Sequence, residues 1–428
     1  MSKFLYGLDF GTTNSVLSIF DEDKKEIIET IRVPSLIYFP ESASGQTKNY
    51  VIGEQAITAY LEDGMKGRFI KSIKHILSRT SFIETRIQNE RYNASDLVTL
   101  ILKDLKSKAD KITGSDCRKA VIGRPVFFDD DSSAKDTLAQ TRLATAVEKA
   151  GFTNVRYQFE PIGAAFAYEK TILRREKVLV ADIGGGTTDF TYLELDPDRV
   201  NSMDRKNDMI ASGGVYIGGD SFDSAFMWEK GTPYFGKDTL YEASPGKVLK
   251  VPVSLFDNIC SWDKINFFNS LRIKKSMEDY YHYSKNDRKF KNLLTLVDNN
   301  LGYSVFQAIE KTKIGLSDLD MFPFQYSNMG IEIDEEVPIE GYNAIIDKDI
   351  LKISAYLDKF MLNNKIAAED IDSLFLTGGT SMVRGIKDLF QNKFPQSKIN
   401  SGDNFTSVAK GLAYSGYLFE DDKNSSAY

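Results

Sequence analysis

Two stretches of this 428-residue chain share one pattern, Leu8-Asp9-Phe10-Gly11-Thr12-Thr13-Asn14-Ser15 and Ala181-Asp182-Ile183-Gly184-Gly185-Gly186-Thr187-Thr188-Asp189. In each stretch a carboxylate stands at the end of an apolar strand and is followed by glycines and threonines. The backbone N–H and hydroxyl groups of such a turn can surround a phosphate at close range. The repetition predicts a nucleotide held between two related halves of the chain.

The residues after each glycine turn separate this pattern from other phosphate loops. Apolar side chains follow both turns, at Val16, Leu17, Ile19 and Phe20 and again at Phe190, Tyr192, Leu193 and Leu195. Both turns are therefore predicted to join two strands as β-hairpins, where a P-loop or a dinucleotide fold would begin a helix. Neither a G-x-x-x-x-G-K-[ST] motif nor a complete G-x-G-x-x-G fingerprint is present, so those two folds are disfavoured.

Composition limits the classes of function. The chain has 54 basic and 61 acidic residues, a net charge of -7 and 42% hydrophobic residues, which is ample for two lobes or more. The acidic balance disfavours nonspecific binding to nucleic acid or to an anionic membrane. No secretory signal and no membrane-spanning segment are expected, so we expect a cytoplasmic protein. Two cysteines and two histidines do not complete a zinc site.

Periodicity and turn residues predict an α/β chain with two lobes. Helices are expected at Leu97 to Leu105, Leu138 to Ala150, Glu160 to Tyr168, Ser407 to Tyr417 and, after a buried strand at Ile371 to Leu376, up to Phe390. Lobe I is predicted at 1–175, with an insertion at about 34–116. Lobe II is predicted at 176–420, with an insertion at about 219–346. A C-terminal helix at 403–418 is expected to pack back on lobe I, and the tail at 421–428 is expected to be frayed.

Carboxylates at two facing strand ends suit a hydrated magnesium ion that bridges the terminal phosphates of a nucleotide. Asp9 and Asp182 are the candidates, and both would act largely through water. Asp189 either helps to hold a potassium ion or fixes its own turn. The hydroxyl groups of the threonines either donate to phosphate oxygens or are ordinary turn residues, at Thr12, Thr13 and Thr187. A third turn, Thr377-Gly378-Gly379-Thr380, makes coincidence a poor explanation.

In combination and order, these motifs resemble the nucleotide-binding domain of the DnaK family, the seventy-kilodalton heat-shock chaperones of the actin-like ATPase superfamily. The truncated YegD-like members are the most similar. The resemblance covers nearly the whole chain and rests on residues 8–15, Glu160-Pro161, residues 182–189, Gly218-Gly219-Asp220-Ser221-Phe222-Asp223 and Phe375-Leu376-Thr377-Gly378-Gly379-Thr380. It implies a two-lobed actin-like ATPase fold, with duplicated ribonuclease H-like domains and an inserted subdomain in each lobe.

The same resemblance implies roles for individual residues. Lys74, with Lys71 as the fallback, would contact the γ-phosphate and the attacking water, although a helical lysine is otherwise just a solvated charge. Glu160 would place the water shell of the metal, and Pro125 would be an interlobe switch. The implied catalytic set is Lys74, Glu160, Asp182, Thr187 and Asp9, and the phosphates would be held by Gly11, Thr12, Thr13, Asn14, Gly184, Gly185, Gly186 and Thr187.

The nucleoside end of the site is implied in the same way. Glu310, Lys313 and Ser317 stand at i, i+3 and i+7 on one helical face and resemble the adenosine helix of the family; a solvated charged face is the alternative. Gly219, Gly378, Gly379 and Thr380 would complete the pocket. The family arginines that stack on adenine are replaced by Ile314 and Met382, which removes a cation–π contact. Arg384 is a candidate substitute that helical spacing directs elsewhere, and Asp403 is displaced from the aligned position, which Phe405 occupies.

The leading hypothesis is an ATP-binding, slowly hydrolysing, chaperone-like switch that uses ATP or ADP, Mg²⁺ and K⁺ and changes its lobe angle. We expect a monomer that works with a co-chaperone-like protein partner and carries no client-peptide domain of its own. Three alternatives stay open at this point. They are a binding module clamped by ATP without turnover, an actin-like filament former, and a small-molecule kinase of the same superfamily.

Overall fold

The strands and helices of the chain alternate in an α/β order. The computed structural model describes residues 3–41, 50–64, 66–129, 132–169, 171–199, 206–261, 264, 268, 270–400 and 406–417. The strands are β1 (Phe4–Phe10), β2 (Asn14–Asp21), β3 (Glu26–Pro34), β4 (Ile37–Phe39), β5 (Val51–Ile52), β6 (Arg68–Ile70), β7 (Thr85–Ile87), β8 (Glu90–Tyr92), β9 (Lys119–Arg124), β10 (Asn154–Phe159), β11 (Glu176–Ile183), β12 (Thr188–Leu195), β13 (Met209–Val215), β14 (Leu240–Ser244), β15 (Lys247–Lys250), β16 (Met321–Asn328), β17 (Ile331–Pro338), β18 (Ser373–Thr377) and β19 (Lys398–Asn400). The helices are α1 (Glu54–Glu62), α2 (Ala94–Thr113), α3 (Ser133–Lys149), α4 (Glu160–Glu169), α5 (Gly219–Phe226), α6 (Val253–Ile259), α7 (Leu271–Tyr283), α8 (Arg288–Asp298), α9 (Gly302–Asp318), α10 (Ile339–Asn363), α11 (Arg384–Lys393) and α12 (Ser407–Tyr417).

Two compact units divide the chain. The first unit comprises Met1–Tyr216, Tyr356–Ser381 and Gln391–Tyr428, and the second unit comprises Ile217–Ala355 and Met382–Phe390. The large sheets of both predicted lobes therefore fall within the first unit. The division into lobes at residues 175 and 176 stays a prediction.

Two five-stranded sheets of the first unit have the same topology. Their strand orders are β10-β9-β1-β2-β3 and β13-β12-β11-β18-β19. In each sheet three consecutive antiparallel strands form a meander, and two later strands extend the sheet in parallel. Both phosphate-loop motifs join the first two strands of their meander, so the predicted hairpins and the α/β class with a duplicated sheet are confirmed.

The two sheets share a hydrophobic core within the first unit. One buried cluster contains Leu5 and Phe20 of the first sheet and Val178, Val180 and Phe375 of the second. A separate cluster packs the other face of the first sheet against α2 and α3. The two cores bury both faces of β1, and its sequence is accordingly apolar almost throughout. Asp9 is the one residue of this strand that is only partly buried.

Capping residues explain where the helices of the first unit begin and end. The Asn93 side chain accepts from the Asp96 N–H and the Asp96 side chain accepts from the Asn93 N–H, so a capping box begins α2. Gly114 ends that helix in the left-handed conformation at φ 67°. Gly151, at φ +98°, follows α3 where the sequence predicted a helix end.

Helix α12 packs on α4 and on β1. A Cβ added to Gly411 would lie 1.9 Å from the carbonyl oxygen of Gly163 on α4. One added to Gly7 on β1 would lie 2.3 Å from the carbonyl oxygen of Ala409. Gly411 therefore allows backbone-to-backbone contact between α12 and α4, and Gly7 allows it between α12 and β1. Asp403, Phe405 and the tail at 421–428 lie outside the described residues.

The second unit contains α5 to α9, the hairpins β14–β15 and β16–β17, and most of α10. Its core is aromatic: the Phe226 ring meets Phe324 edge to face at 5.2 Å and tilts against Tyr342 at 5.8 Å. Across the described part of the chain, no helix combines the length and the apolar character that a membrane span requires.

Candidate functional site

The first phosphate-loop turn, residues 11–13, is fixed by Ser35, which directly follows β3. The Ser35 hydroxyl donates to the Gly11 carbonyl at 2.8 Å, and the Ser35 N–H donates to the Thr13 carbonyl at 2.8 Å. The buried hydroxyl oxygen of Thr13 has no hydrogen-bond partner within the described residues. A buried polar atom without a partner is costly, so this hydroxyl is a fitting contact for a phosphate oxygen or a metal-bound water.

The second turn, residues 184–187, closes on itself. The Gly184 N–H donates to the Thr187 carbonyl at 2.9 Å, and the Thr187 hydroxyl donates to Asp189 Oδ2 at 2.9 Å. This bond fixes the turn, which was one of the two roles that the sequence left open for Asp189.

The third turn joins the second. Strand β18 pairs in parallel with β11 and sets Thr377 opposite Asp182. The Thr380 hydroxyl donates to the Gly184 carbonyl at 2.8 Å. Gly378 has φ +78°, and a Cβ there would lie 2.6 Å from Asp182 Oδ1. Glycine at this position therefore keeps one face of the Asp182 carboxylate open.

Lys74 forms an ion pair with Glu160, one of the carboxylates of the site. It lies on a short 3-10 helix, Ile73–Ile76, that begins after Ser72 in the left-handed conformation. Lys74 Nζ donates to Glu160 Oε1 at 2.8 Å, with the two side chains only 16% and 10% exposed. The ion pair with Glu160 thus involves Lys74, the residue that the resemblance proposed first.

The electrostatics of the site are dominated by buried carboxylates. Burial, and then the charge of Glu160, raises the pKa of Asp9 to about 8. Burial and the charge of Asp182 raise the pKa of Asp189 to about 7. The pKa of Asp182 is also raised, by burial and by Glu160. The described carboxylates of Asp9, Asp182, Asp189 and Glu160 all interact with the charge of Lys74, and a bound cation would offset their negative charge.

Lys74 is held in its charged form. Burial opposes its charge, but the carboxylates of Glu160 and Asp9 outweigh burial and raise its pKa above the usual value. A lysine in this state stabilises negative charge and donates hydrogen bonds, and it does not accept a proton.

A narrow cavity of about 30 Å³, room for roughly one water molecule, lies beside the carboxylates. Pro125, the predicted switch residue, lines it with Glu160, Asp182 and Asp189. The loop that follows Pro125 is fixed by Arg124, whose guanidinium donates to the Pro125 and Val126 carbonyls and to Asp136.

Two contacts of the site were not predicted from the sequence. A Cβ on Gly186 would lie 2.4 Å from His75 Nε2, so the imidazole packs directly on the second turn. Arg142 of α3 binds the chain that follows Lys74. His75 stands next to Lys74 in the lysine segment and Arg142 belongs to no motif, but only the fold brings each one to its partner.

Of the predicted nucleoside residues, Gly219, Glu310, Lys313, Ser317 and Met382 lie in the second unit, whereas Gly378, Gly379 and Thr380 lie in the first. Lys313 Nζ donates to Asp223 Oδ2 at 2.8 Å, and the charges of Asp223 and Glu310 raise its pKa against the effect of burial. Glu310 and Lys313 share a face of α9 with Ser317, whose hydroxyl donates to the Lys313 carbonyl. Gly219 is buried at the start of α5, and Met382 ends the short helix Gly379–Met382.

Arg384 contacts the same helix. Its Nε donates to the Ser317 carbonyl at 3.2 Å, and its guanidinium also pairs with Asp320. Ile314, one turn earlier on α9, is 60% exposed. The residue proposed as a substitute cation thus lies at the C-terminal end of the predicted adenosine helix.

Comparison with known proteins gives consistent matches. The family model described as Hsp70 protein matches residues 5–232. The chaperone protein DnaK of Thermosipho melanesiensis is 33% identical over 231 residues, which are 53% of this chain and 35% of that protein. The DnaK proteins of Mycoplasma mobile and Mycoplasmopsis pulmonis are 25% and 24% identical over 98% and 99% of this chain, in each case 59% of the relative. The chain therefore spans between about a third and three fifths of the length of these curated relatives.

Proposed function

The chain belongs to the Hsp70 protein family, and from that premise we propose that it is an ATP-binding, slowly hydrolysing, chaperone-like switch. The observation that carries the proposal is the pair of carboxylate-ended hairpin turns, with a buried Lys74–Glu160 ion pair in the same compact unit. Positioning and electrostatic stabilisation dominate phosphoryl transfer, and these groups supply both.

The turns at residues 11–14 and 184–187 would hold the phosphates through backbone N–H groups and through the hydroxyls of Thr12, Thr13 and Thr187. Asp9 and Asp182 would hold magnesium largely through its water ligands, because magnesium usually keeps several waters and is bound through few carboxylates. Asp189 with Thr187 is the corresponding candidate for potassium. A bound magnesium ion would neutralise charge on the terminal phosphates.

In the proposed reaction a water oxygen bonds to the γ-phosphorus while the bond from that phosphorus to the β–γ bridging oxygen breaks, which gives ADP and inorganic phosphate. Lys74, kept positive by Glu160 and Asp9, would orient the water and stabilise charge on the equatorial oxygens. Glu160 would orient Lys74 and the water shell of the metal. Nucleotide-dependent lobe closure and a co-chaperone-like partner are parts of the same proposal.

The direct test is calorimetry and phosphate release with the full chain in Mg²⁺ and K⁺. We expect ATP and ADP to bind and phosphate release to exceed that of Lys74→Ala and Asp182→Ala. A Lys71→Ala variant is the comparison for the fallback lysine, and the assignment of the role to Lys74 predicts that Lys71→Ala behaves as the wild type. The proposal is wrong if nucleotide does not bind.

A non-hydrolysing, nucleotide-clamped binding module is the second candidate. It is favoured by the exposed Ile314 on α9, where a stacking cation is expected from the resemblance. Tight ATP binding, with phosphate release equal to buffer in wild type and Lys74→Ala alike, would select this candidate. A comparison of ATP with GTP would show how far Arg384 compensates in choice of base.

A further inference from the structure

Arg142 on α3 makes an unusual set of contacts with the chain that follows Lys74. Its Nη1 donates to the carbonyl oxygens of Ile76, Leu77 and Arg79 at 3.0, 2.9 and 3.0 Å, and its Nη2 donates to that of Phe82 at 2.8 Å. One guanidinium thus serves four backbone carbonyls in a seven-residue stretch.

Ile76 and Leu77 stand at the C-terminal end of a short helix, and Arg79 and Phe82 lie in the turns that follow it. The helix Ile73–Ile76 continues only as two further turns, with Arg79 N–H donating to Ile76 and Phe82 N–H donating to Arg79. Helix ends need outside donors for their last carbonyls. Arginine offers five N–H donors in a rigid fork, so it can serve several at once, whereas lysine presents a single ammonium centre.

The stretch held by Arg142 is continuous with Lys74. The Leu77 N–H donates to the Lys74 carbonyl, and the Leu77 side chain is fully buried. Ile73, on the other side of Lys74, is also fully buried. The backbone of Lys74 is therefore fixed between two core anchors and one guanidinium, and its Nζ extends from this support to Glu160.

We infer that Arg142 is a positioning residue for Lys74: it holds residues 76–82 so that the Lys74 ammonium stays where ATP hydrolysis needs it. The inference rests on the proposed hydrolytic function. The phosphate turns make their own hydrogen bonds without Arg142, so loss of Arg142 should lower turnover and leave nucleotide affinity nearly unchanged.

The experiment compares the full chains of wild type, Arg142→Ala, Arg142→Lys, Lys74→Ala and the double variant Arg142→Ala with Lys74→Ala. We expect Arg142→Ala to lower phosphate release at saturating ATP by about tenfold or more, with the ATP Kd changed less than about twofold. Arg142→Lys should recover only part of the rate. Guanidinium chloride at low millimolar concentration should restore activity to Arg142→Ala, relative to equal sodium chloride.

The double variant separates positioning from general structure. If Arg142 acts through Lys74, its loss in the Lys74→Ala background should lower the rate no further. Equal losses in both backgrounds would overturn the inference. Lys149→Ala is the matched control on the same helix, because Lys149 pairs with Asp96 of α2, and it should match the wild type.

Hydrogen exchange distinguishes failure of this inference from failure of the proposed function. Arg142→Ala should speed exchange of the amides at 73–82 and leave exchange at 11–14 and 184–187 unchanged. Unchanged exchange together with unchanged turnover would refute the inference while hydrolysis stands. A wild type without turnover would refute the hydrolytic proposal and the positioning role of Arg142 in hydrolysis together, even if Arg142→Ala loosens the segment.

Discussion

At Asp9, the ionised carboxylate that the proposed function requires lowers the stability of the folded protein. Burial and the charge of Glu160 raise its pKa to about 8, whereas an aspartate in an unfolded chain titrates at about pH 3.9. Between these values the folded state binds more protons than the unfolded state. The free energy of unfolding of the nucleotide-free protein should therefore fall as pH rises through this window, by at most about 1.4 kcal/mol per pH unit.

Replacing Asp9 with Asn should stabilise the nucleotide-free protein because the amide has no charge to desolvate. We expect Asp9→Asn to exceed the wild type in free energy of unfolding at pH 8, by about 1 kcal/mol or more, with a smaller difference at pH 6. Its phosphate release should be lost. Urea unfolding at both pH values in the presence of a chelator measures the effect. A difference independent of pH would show that titration of the Asp9 carboxyl is not its cause.

Gly378 tests the third turn. Alanine there must adopt φ +78° and bring a Cβ within 2.6 Å of Asp182 Oδ1. We expect Gly378→Ala to lower the free energy of unfolding by about 2 kcal/mol or more and to weaken ATP binding. Gly114→Ala is the control, since Gly114 has φ +67° with nothing within 4 Å of a Cβ. It should show the backbone cost of about 1 kcal/mol alone.

Among the helices and hairpins, local sequence patterns predicted correctly those elements that are determined by their own residues. The hairpins at the two motifs were predicted from apolar residues on both sides of a turn. Helix α12 has the bounds Ser407–Tyr417, the narrower of the two predicted ranges, and residues 403–405 and 418 of the wider range lie outside the described residues. The helix expected at Leu97 to Leu105 extends from its Asn93 cap to Thr113.

Elements that depend on distant contacts were not predicted. Strand β13 contains Gly213 and Gly214, which are poor strand formers, and it exists because β12 pairs with it. The short helix that carries Lys74 is held by Arg142, 66 residues from Ile76. In the same way, the acidic group of the site could be named from motifs, but its raised pKa values depend on burial that only the fold creates.

Helix α12 provides a test of element packing. Gly411→Ala would place a Cβ 1.9 Å from the Gly163 carbonyl oxygen and force α12 away from α4. We expect a loss of about 2–3 kcal/mol in the free energy of unfolding, by the mechanism of overpacking. Gly341→Ala, in α10, is the matched control because its Cβ would meet only ordinary contacts from 3.4 Å. It should be neutral or slightly stabilising, and equal losses for both variants would show that helix propensity, not packing, is measured.

For the whole molecule, the carboxylates connect ligand binding to protonation. With pKa values of about 8 for Asp9 and about 7 for Asp189, both groups are largely or partly protonated near neutral pH in the nucleotide-free protein. A cation with a nucleotide would bind the ionised forms, so binding should release protons and become tighter as pH rises from about 6 to 8. The bound ligand should also raise the melting temperature by mass action.

Calorimetry of Mg²⁺ and ATP binding in two buffers of different ionisation enthalpy counts the protons released. We expect about one proton at pH 7, with Asp9→Asn releasing fewer and Lys71→Ala matching the wild type. Removal of Mg²⁺ by a chelator should remove most of the proton release, because the charge that drives it comes from the metal. If wild type binds Mg²⁺ and ATP with no proton release at any pH from 6 to 8, the carboxylates are already ionised in the free protein. The pH dependence of stability predicted for Asp9 would then be absent as well, since both effects have the same cause.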